Sequence, residues 1–316
     1  MKRIKRVNEV FLMTVAIAVV SSFLIGIISG IFGANEMVTL IISQLIFFMP
    51  SAFYLLENRF DLKETIRLHQ IKVSTVVLLV VFMYLLMPAI TFINAVSLKF
   101  TTNTIDTTVM EIANQYPFII GILIVAVVPS ILEECVYRGV FFNEYRKVNP
   151  QKAVVLSGLL FGLAHMNFNQ FIYAFLLGMV FSIVVEATDS ILSSMILHFV
   201  MNGTSMVTIY AQKYLEKMSV LNVQFDLEQT AQELDAYIQN GWLSGFIGVI
   251  FAFFVLKLIA KNEGRSLELK AFLRKGKNPK KEMSENSKND AKLSTLALWI
   301  GIVVCLGIML LVEVTA

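Results

Sequence analysis

Long apolar segments run through most of this 316-residue chain and limit what it can fold into. One of them, FIIGILIVAVVPSIL at residues 118–132, contains no ionisable side chain. About 20 apolar residues are what an α-helix needs to cross the hydrocarbon core of a bilayer. Only 16% of the residues are charged and the mean hydropathy is +0.72, whereas soluble domains average about 25% charged residues. The sequence therefore predicts an all-α, polytopic transmembrane bundle rather than a barrel of alternating ~10-residue strands.

Nine segments are predicted to span the membrane, as an eight-span-like core plus an extra C-terminal span. The first is interpreted as a retained span, because its apolar part is longer than the roughly 7–15 residues of a signal peptide. If the spans alternate, 23 of the 26 Lys and Arg residues fall on one side, which the positive-inside rule assigns to the cytoplasm. The N-terminus is then cytoplasmic and the C-terminus outside. The predicted spans are 10–32, 37–56, 73–98, 117–138, 152–166, 170–187, 190–212, 241–260 and 294–313.

Three regions follow from this count. Residues 1–116 hold spans one to three with their loops, and residues 117–212 hold spans four to seven. Residues 213–316 hold an outer loop, span eight, a basic cytoplasmic linker at 261–292 and span nine. The linker is predicted to be a solvated tether near anionic lipid headgroups.

Ionisable residues inside the spans are few and point to function. They are Glu133, Glu134 and Arg138 in span four, His165 in span five and His198 in span seven. The third histidine of the chain, His69, falls in a loop and is interpreted as solvated. Each charge in mid-membrane costs about 2.5–3.5 kcal/mol on insertion scales, so such residues usually face inward and serve a function. The structural alternative is a buried hydrogen-bond network that holds three helices together.

Helical spacing gives the two glutamates different surroundings. Glu134 and Arg138 are four residues apart and share a helix face, so they can form an ion pair. Glu133 lies about 100° around the helix and can face a cavity. His165 lies ~20 Å from the start of its span at 1.5 Å per residue. It can meet Glu133 only if the fourth helix continues to Lys147, and we predict that it does.

Two further pairs have the same four-residue spacing. His198 and Asn202 can point into one pocket as two hydrogen-bond donors, and Phe161 lies one turn before His165. Alone, Phe161 would be interpreted as packing. We expect the pocket among spans four, five and seven to open toward the cytoplasmic leaflet.

Small residues and cysteines have simpler interpretations. Gly26 and Gly30, and again Gly158 and Gly162, form GxxxG patterns that favour close helix packing, with dimerisation as the weaker alternative. The two cysteines, Cys135 and Cys305, suggest neither a disulfide framework nor a metal site.

The ordered motifs EECVYR, FGLAH and HFVMN match the patterns EExxxR, FxxxH and HxxxN, in three successive membrane segments over roughly residues 118–203. This set resembles the CAAX-protease and bacteriocin-processing family, also called the abortive-infection family, of intramembrane glutamic endopeptidases. The resemblance implies that Glu133 and His165 activate a water, and that His198 and Asn202 form an oxyanion hole. It assigns supporting roles to Glu134, Arg138 and Phe161.

The resemblance implies a hydrolase that needs no cofactor and no metal. Its expected partners are a peptide or protein tail presented at the membrane and the lipid bilayer, with no nucleic acid. We expect a multi-pass protein of the bacterial plasma membrane; the sequence leaves open its oligomeric state and whether its substrate is prenylated.

Two alternatives stay open. The same glutamates and histidines could ligate zinc in a membrane peptidase, although HExxH is absent. A non-catalytic immunity or interaction protein, or a transporter with a Glu/His proton relay, could also carry such residues.

Overall fold

The computed structural model describes residues 2–33, 35–57, 62–101, 105–218, 227–275 and 293–315, and within these ranges the regular structure is helical, without strands. The all-helical prediction is confirmed. Most of the predicted basic linker, residues 276–292, lies outside the described residues. The helices are α1 (Lys2–Phe32), α2 (Glu36–Glu57), α3 (Leu62–Thr65), α4 (Val73–Leu98), α5 (Ile105–Gln115), α6 (Phe118–Arg146), α7 (Pro150–Ala164), α8 (Phe168–Thr188), α9 (Ile191–Lys217), α10 (Leu227–Asn262), α11 (Ser266–Lys275) and α12 (Leu296–Thr315).

Eight of the described helices are long and apolar enough to cross a membrane, and the 15-residue α7 is shorter. Contacts at both ends of α4 show how it packs against α10. At one end, Lys72 donates a hydrogen bond from its backbone to Glu263 at 3.0 Å, so the start of α4 lies beside the end of α10. At the other end, Lys99 forms an ion pair with Asp235. Helices α4 and α10 are therefore antiparallel, and the count of nine spans stays a prediction.

Helix α6 is the 29-residue Phe118–Arg146 and carries both glutamates. The predicted continuation of this helix as far as Lys147 is confirmed, since Lys147 caps its last turn. Two stretches, Ile122–Val127 and Cys135–Phe142, are π-helical and flank the α-helical Val128–Glu134. Such wide turns are rare and are frequent at functional sites. Nothing in the sequence patterns predicts them.

Helix α7 is short because both of its ends are specified locally. Asn149 caps its start by accepting a hydrogen bond from the Lys152 backbone at 2.9 Å, and Pro150 occupies the first turn, where its missing N–H is not needed. The helix ends at His165, and Met166 follows with φ of 48°. At 1.5 Å per residue α7 spans only about 22 Å, so it leaves His165 inside the bundle.

The two GxxxG pairs behave differently. A Cβ atom on Gly158 would lie 2.8 Å from the Phe175 carbonyl oxygen, and one on Gly162 would lie 2.8 Å from the Phe171 oxygen. The second pair therefore lets α7 and α8 pack backbone to backbone, as predicted. A Cβ atom on Gly26 or Gly30 would meet no described neighbour within 4 Å, so these glycines support no packing among the described residues.

Substituting one glycine from each pair tests this difference. We expect Gly158→Ala to lower the free energy of unfolding by about 1–3 kcal/mol, because α7 and α8 must separate. Gly26→Ala should leave stability unchanged or raise it by about 0.5–1 kcal/mol, since alanine favours the helix and meets no neighbour. Unfolding by SDS titration in detergent measures both. Equal losses would contradict the packing that the structure describes.

A cluster of charged residues connects several loops at one end of the bundle. The sequence predicts that this end is cytoplasmic. Arg67, with φ of 58° and a side chain only 7% exposed, contacts Glu186 at 3.1 Å and Asp189 at 2.5 Å. Arg146 also pairs with Glu186, and Arg265 lies 3.5 Å from Asp189. The cluster thereby joins the α3–α4 loop, the end of α6 and the α8–α9 turn.

His69 belongs to the same cluster. Its Nδ1 lies 2.7 Å from the Asp189 carbonyl oxygen, and its Nε2 lies 3.5 Å from Glu64. The interpretation of His69 as a merely solvated loop residue is therefore wrong. Sequence spacing could not reveal this contact, because Asp189 is 120 residues away along the chain.

Stability should depend on the charge of Asp189. Burial raises the pKa of this carboxyl, but Arg67, Arg265 and His69 together lower it more, so the net pKa falls below its ordinary value of 3.8. A lowered folded-state pKa contributes stability above the ordinary pKa and loses it as pH falls through the folded value. The stability difference between the wild type and Asp189→Asn should stay constant from about pH 5 to 8 and shrink below about pH 4. Asparagine suits the test because it tolerates the left-handed conformation, φ 59°, of this position. A difference that grows toward low pH would contradict the assignment.

Candidate functional site

One cavity brings together the four residues to which the resemblance gives catalytic roles. Glu133, His165, His198 and Asn202 all line a space of about 410 Å³. They come from α6, α7 and α9, so side chains up to 69 residues apart in sequence share one wall. The candidate residues are therefore close enough to act on one bound molecule.

The cavity extends toward the end of the bundle at which α6 begins. Its walls include Val109 and Ile112 on α5, Val125 near the start of α6 and Ile209 in the second half of α9. The expected opening toward the cytoplasmic leaflet stays a prediction.

The two adjacent glutamates differ in burial and in partners. The Glu134 side chain is fully buried and accepts a hydrogen bond from Arg138 Nη1 at 2.8 Å, as the four-residue spacing predicts. The Glu133 side chain is 14% exposed and lines the cavity. Glu134 is therefore held by arginine within the protein, whereas Glu133 can contact a molecule bound in the cavity.

Aromatic rings complete the surroundings of Arg138. Its guanidinium carbon lies 4.4 Å from the ring centre of Phe161 and 5.1 Å from that of Phe181, which are cation–π distances. Phe161 also meets His165 edge to face, with centroids 5.1 Å apart. Phe161 therefore contacts both the buried cation and a candidate catalytic histidine, which goes beyond simple packing.

His165 is oriented by the helix end on which it lies. Its Nδ1 is 2.8 Å from the Phe161 carbonyl oxygen. A carbonyl oxygen can only accept, so Nδ1 carries the hydrogen and donates it. In the neutral ring, Nε2 then keeps a lone pair that can accept a proton from water.

His198 bridges the two glutamates. Its Nδ1 lies 3.0 Å from Glu134 Oε1, and its Nε2 lies 4.0 Å from Glu133 Oε2. A carboxylate only accepts hydrogen bonds, so Nδ1 donates to Glu134. The opposite nitrogen, Nε2, can donate into the cavity when the ring carries both hydrogens.

Asn202 is fixed by a gap in the hydrogen bonding of α6. Pro129 has no N–H to donate to the carbonyl of Val125 four residues earlier. Asn202 Nδ2 donates to that carbonyl at 3.0 Å instead. An amide nitrogen carries two hydrogens, so the second is available to a molecule in the cavity.

Two glutamines at the site were not predicted from the sequence. Gln44 on α2 donates from Nε2 to Glu133 Oε1 at 2.9 Å, and Gln170 on α8 lies nearby. Both line the first cavity and also a second one of about 370 Å³, which again contains Glu133 and His165. The sequence signal for Gln44 is a neutral amide within the apolar run LIISQLIFF, outside the three motifs.

No group of three or more His, Cys, Asp or Glu side chains among the described residues has a geometry that could hold a metal ion. Cys135, partly buried, and Cys305, buried, are both unbridged.

Removing one member of the buried ion pair should be far more damaging than removing both. We expect Arg138→Met to cost about 3–5 kcal/mol of unfolding free energy, because Glu134 is left buried and unpaired. The double variant Glu134→Gln with Arg138→Met should recover part of that loss, since no net charge then remains at this position. SDS titration of the two single variants and the double variant measures the coupling. Strictly additive losses would contradict a direct interaction between the two side chains.

Comparison with known proteins gives one family match. The family model described as "Rce1-like: Type II CAAX prenyl endopeptidase Rce1-like" matches residues 115–204. This segment covers less than a third of the chain and contains all three motifs. The match confirms the family resemblance that the motifs indicate. No curated protein and no solved structure matches the chain.

Proposed function

From the match of residues 115–204 to the Rce1-like CAAX endopeptidase family, which supports a membrane protease in general, we propose that this protein is a glutamate-dependent intramembrane endopeptidase. One observation carries the proposal: Glu133, His165, His198 and Asn202 line a single cavity inside an apolar helical bundle. General-base and hydrogen-bond-donor groups thus surround a space that a scissile peptide bond can enter.

In the proposed first step, Glu133 and His165 activate a water. The carboxylate of Glu133 accepts one proton of the water while Nε2 of His165 accepts a hydrogen bond from the other, and the water oxygen attacks the scissile carbonyl carbon. The carbonyl π bond breaks as the new C–O bond forms, and its electron pair moves to the oxygen. A base with restricted access to solvent is well suited to this transfer at neutral pH.

The negative oxygen of the tetrahedral intermediate needs donors that are already in place. His198 Nε2–H and the second N–H of Asn202 are proposed to supply them. In a low-dielectric site such preorganised donors are worth about 100- to 1000-fold in rate each. Collapse of the intermediate breaks the C–N bond, and the proton first taken from water passes to the leaving nitrogen.

Glu134, Arg138 and Phe161 are proposed to support this machinery. Glu134 accepts from His198 Nδ1, which directs Nε2 toward the cavity. Arg138 holds the Glu134 carboxylate in place through an ion pair at 2.8 Å. Phe161 covers the guanidinium and fixes His165 through its backbone carbonyl.

The substrate is proposed to be a peptide or protein tail at the membrane. Leu40, Leu177 and Met201 are among the apolar residues that line the larger cavity. These residues accommodate apolar side chains or a lipid chain attached to the peptide. The family description names prenylated substrates, and peptides with and without a prenyl group would show whether this protein requires one.

Cleavage by the purified protein tests the proposal. A mixed library of hydrophobic peptides, prenylated and unprenylated, is incubated in detergent with wild type, with Glu133→Gln and with Glu111→Gln. Glu111 is exposed on α5 and serves as the matched control. We expect Glu133→Gln to lower kcat at least about 100-fold with unchanged stability, because an amide cannot accept the proton.

A chelator added to the wild type separates the glutamate mechanism from a zinc peptidase, since only the latter loses activity. Equal cleavage by wild type and a folded Glu133→Gln protein would remove Glu133 as the base. Absence of cleavage in every peptide class would favour a binding or immunity role.

A further inference from the structure

An extended peptide faces a specific difficulty inside a membrane protein. Proteases act on chains without secondary structure, yet in a water-poor site each unsatisfied backbone N–H or C=O costs several kcal/mol. A site that accepts such a chain must therefore offer hydrogen-bonding groups on either side of the scissile bond. Neutral amide side chains are suited to this task, because each has one acceptor and two donors and carries no charge to desolvate.

Gln44 and Gln170 provide such groups at the centre of the site. The two cavities share five lining residues, and a chain that passes from one cavity to the other must pass them. The shared residues are Leu40, Gln44, Glu133, His165 and Gln170. The two glutamines are thus the only shared polar residues besides the candidate base pair in the described part of the protein.

Both glutamines have unused hydrogen-bonding capacity. The side-chain oxygens of Gln44 and Gln170 are buried and accept no hydrogen bond from any described residue. Buried polar atoms are nearly always paired, so two unpaired acceptors within one site call for an explanation. The terminal amide torsion of glutamine is soft, so a small rotation can turn either oxygen toward a bound molecule.

Each cavity offers both polar and apolar surroundings beyond the shared residues. The larger contains Leu177 and Met201 together with His198 and Asn202, and the smaller contains Phe47 and the hydroxyl groups of Ser21, Ser22 and Ser43. A peptide held at the junction would place one half in each cavity while its scissile bond lies beside Glu133.

We propose that Gln44 and Gln170 bind the substrate main chain, accepting hydrogen bonds from its backbone N–H groups on either side of the scissile bond. Gln44 holds Glu133 through its amide nitrogen at 2.9 Å and receives the peptide N–H at its oxygen, so it links the base to the substrate. The inference rests on the proposed peptidase function. It assigns a substrate-binding role to α2, which lies outside the family match.

The test compares two probes that differ only in backbone N–H groups. One is a fluorescein-labelled peptide of six Leu-Ala repeats, and the other has the same sequence with its alanine amides N-methylated. Binding to the intact Glu133→Gln protein in detergent micelles is measured by fluorescence anisotropy, because this variant should not consume the probe. Gln44→Met and Gln170→Met remove the amides at nearly constant side-chain shape, and Gln212→Met on the exposed part of α9 is the matched control.

We expect each of Gln44→Met and Gln170→Met to weaken binding of the unmodified peptide by about 3- to 10-fold, and Gln212→Met to leave it unchanged. N-methylation of the peptide should weaken its binding to the Glu133→Gln protein by a similar factor. Its effect should be smaller when Gln44→Met and Gln170→Met are both present. An N-methylation penalty that is the same with and without the glutamines would overturn the proposal. So would failure of the unmodified peptide to bind.

Kinetics in the wild-type background separate substrate binding from simple positioning of Glu133. Loss of kcat in Gln44→Met at unchanged KM and peptide affinity would show that Gln44 only holds Glu133, and would overturn its assigned role. A protein that binds the probe through the glutamines but cleaves no peptide would refute the peptidase function and leave main-chain binding standing. The melting temperature of each variant shows whether it is folded. If Gln44→Met does not fold, Gln170→Met still tests the proposal independently.

Discussion

A fully buried ion pair between Glu134 and Arg138, 2.8 Å apart, is the constraint on which the rest of the site depends. Two charges in an apolar bundle are tolerated only as a pair with further partners. The guanidinium finds those partners in the faces of Phe161 and Phe181, and the carboxylate finds His198. Each contact draws another helix to α6. The buried pair thereby determines where the rings of Phe161, Phe181 and His198 lie. Glu133 is then the carboxylate that faces the cavity.

Space for a substrate arises from helix length. Helix α7 is short, because Asn149 and Pro150 set its start and the turn at Met166 ends it. His165 therefore lies inside the bundle, beside the cavity. Gly158 and Gly162 let α7 approach α8 closely, and Ser157 ties it to α6 by donating to the Tyr137 carbonyl at 3.0 Å. The Pro129 gap in α6 then places Asn202 against the same volume. The positions of the candidate catalytic groups and the cavity thus result from the same local breaks in regular helix.

Much of this could be predicted from the sequence, because periodicity and motif spacing act locally. A helix turns by about 100° and rises 1.5 Å per residue. These two values predict the ion pair of Glu134 with Arg138, the different surroundings of Glu133 and Glu134, and the continuation of α6 to Lys147. The π-helical turns, Gln44 and Gln170 could not be predicted, since they depend on how distant helices pack. The partners of His69 were missed for the same reason of distance.

The central claim is that Glu133 takes a proton from water while Glu134 only orients its neighbours, and chemical rescue tests it most directly. Glu133→Ala and Glu134→Ala are assayed with a cleaved peptide at increasing concentrations of formate, a carboxylate small enough for a cavity of about 410 Å³. We expect formate to restore part of the lost activity in Glu133→Ala in proportion to its concentration, and to leave Glu134→Ala unchanged. A folded Glu133→Ala protein that formate does not rescue, alongside a Glu134→Ala protein that it does, would contradict the assignment of the two glutamates.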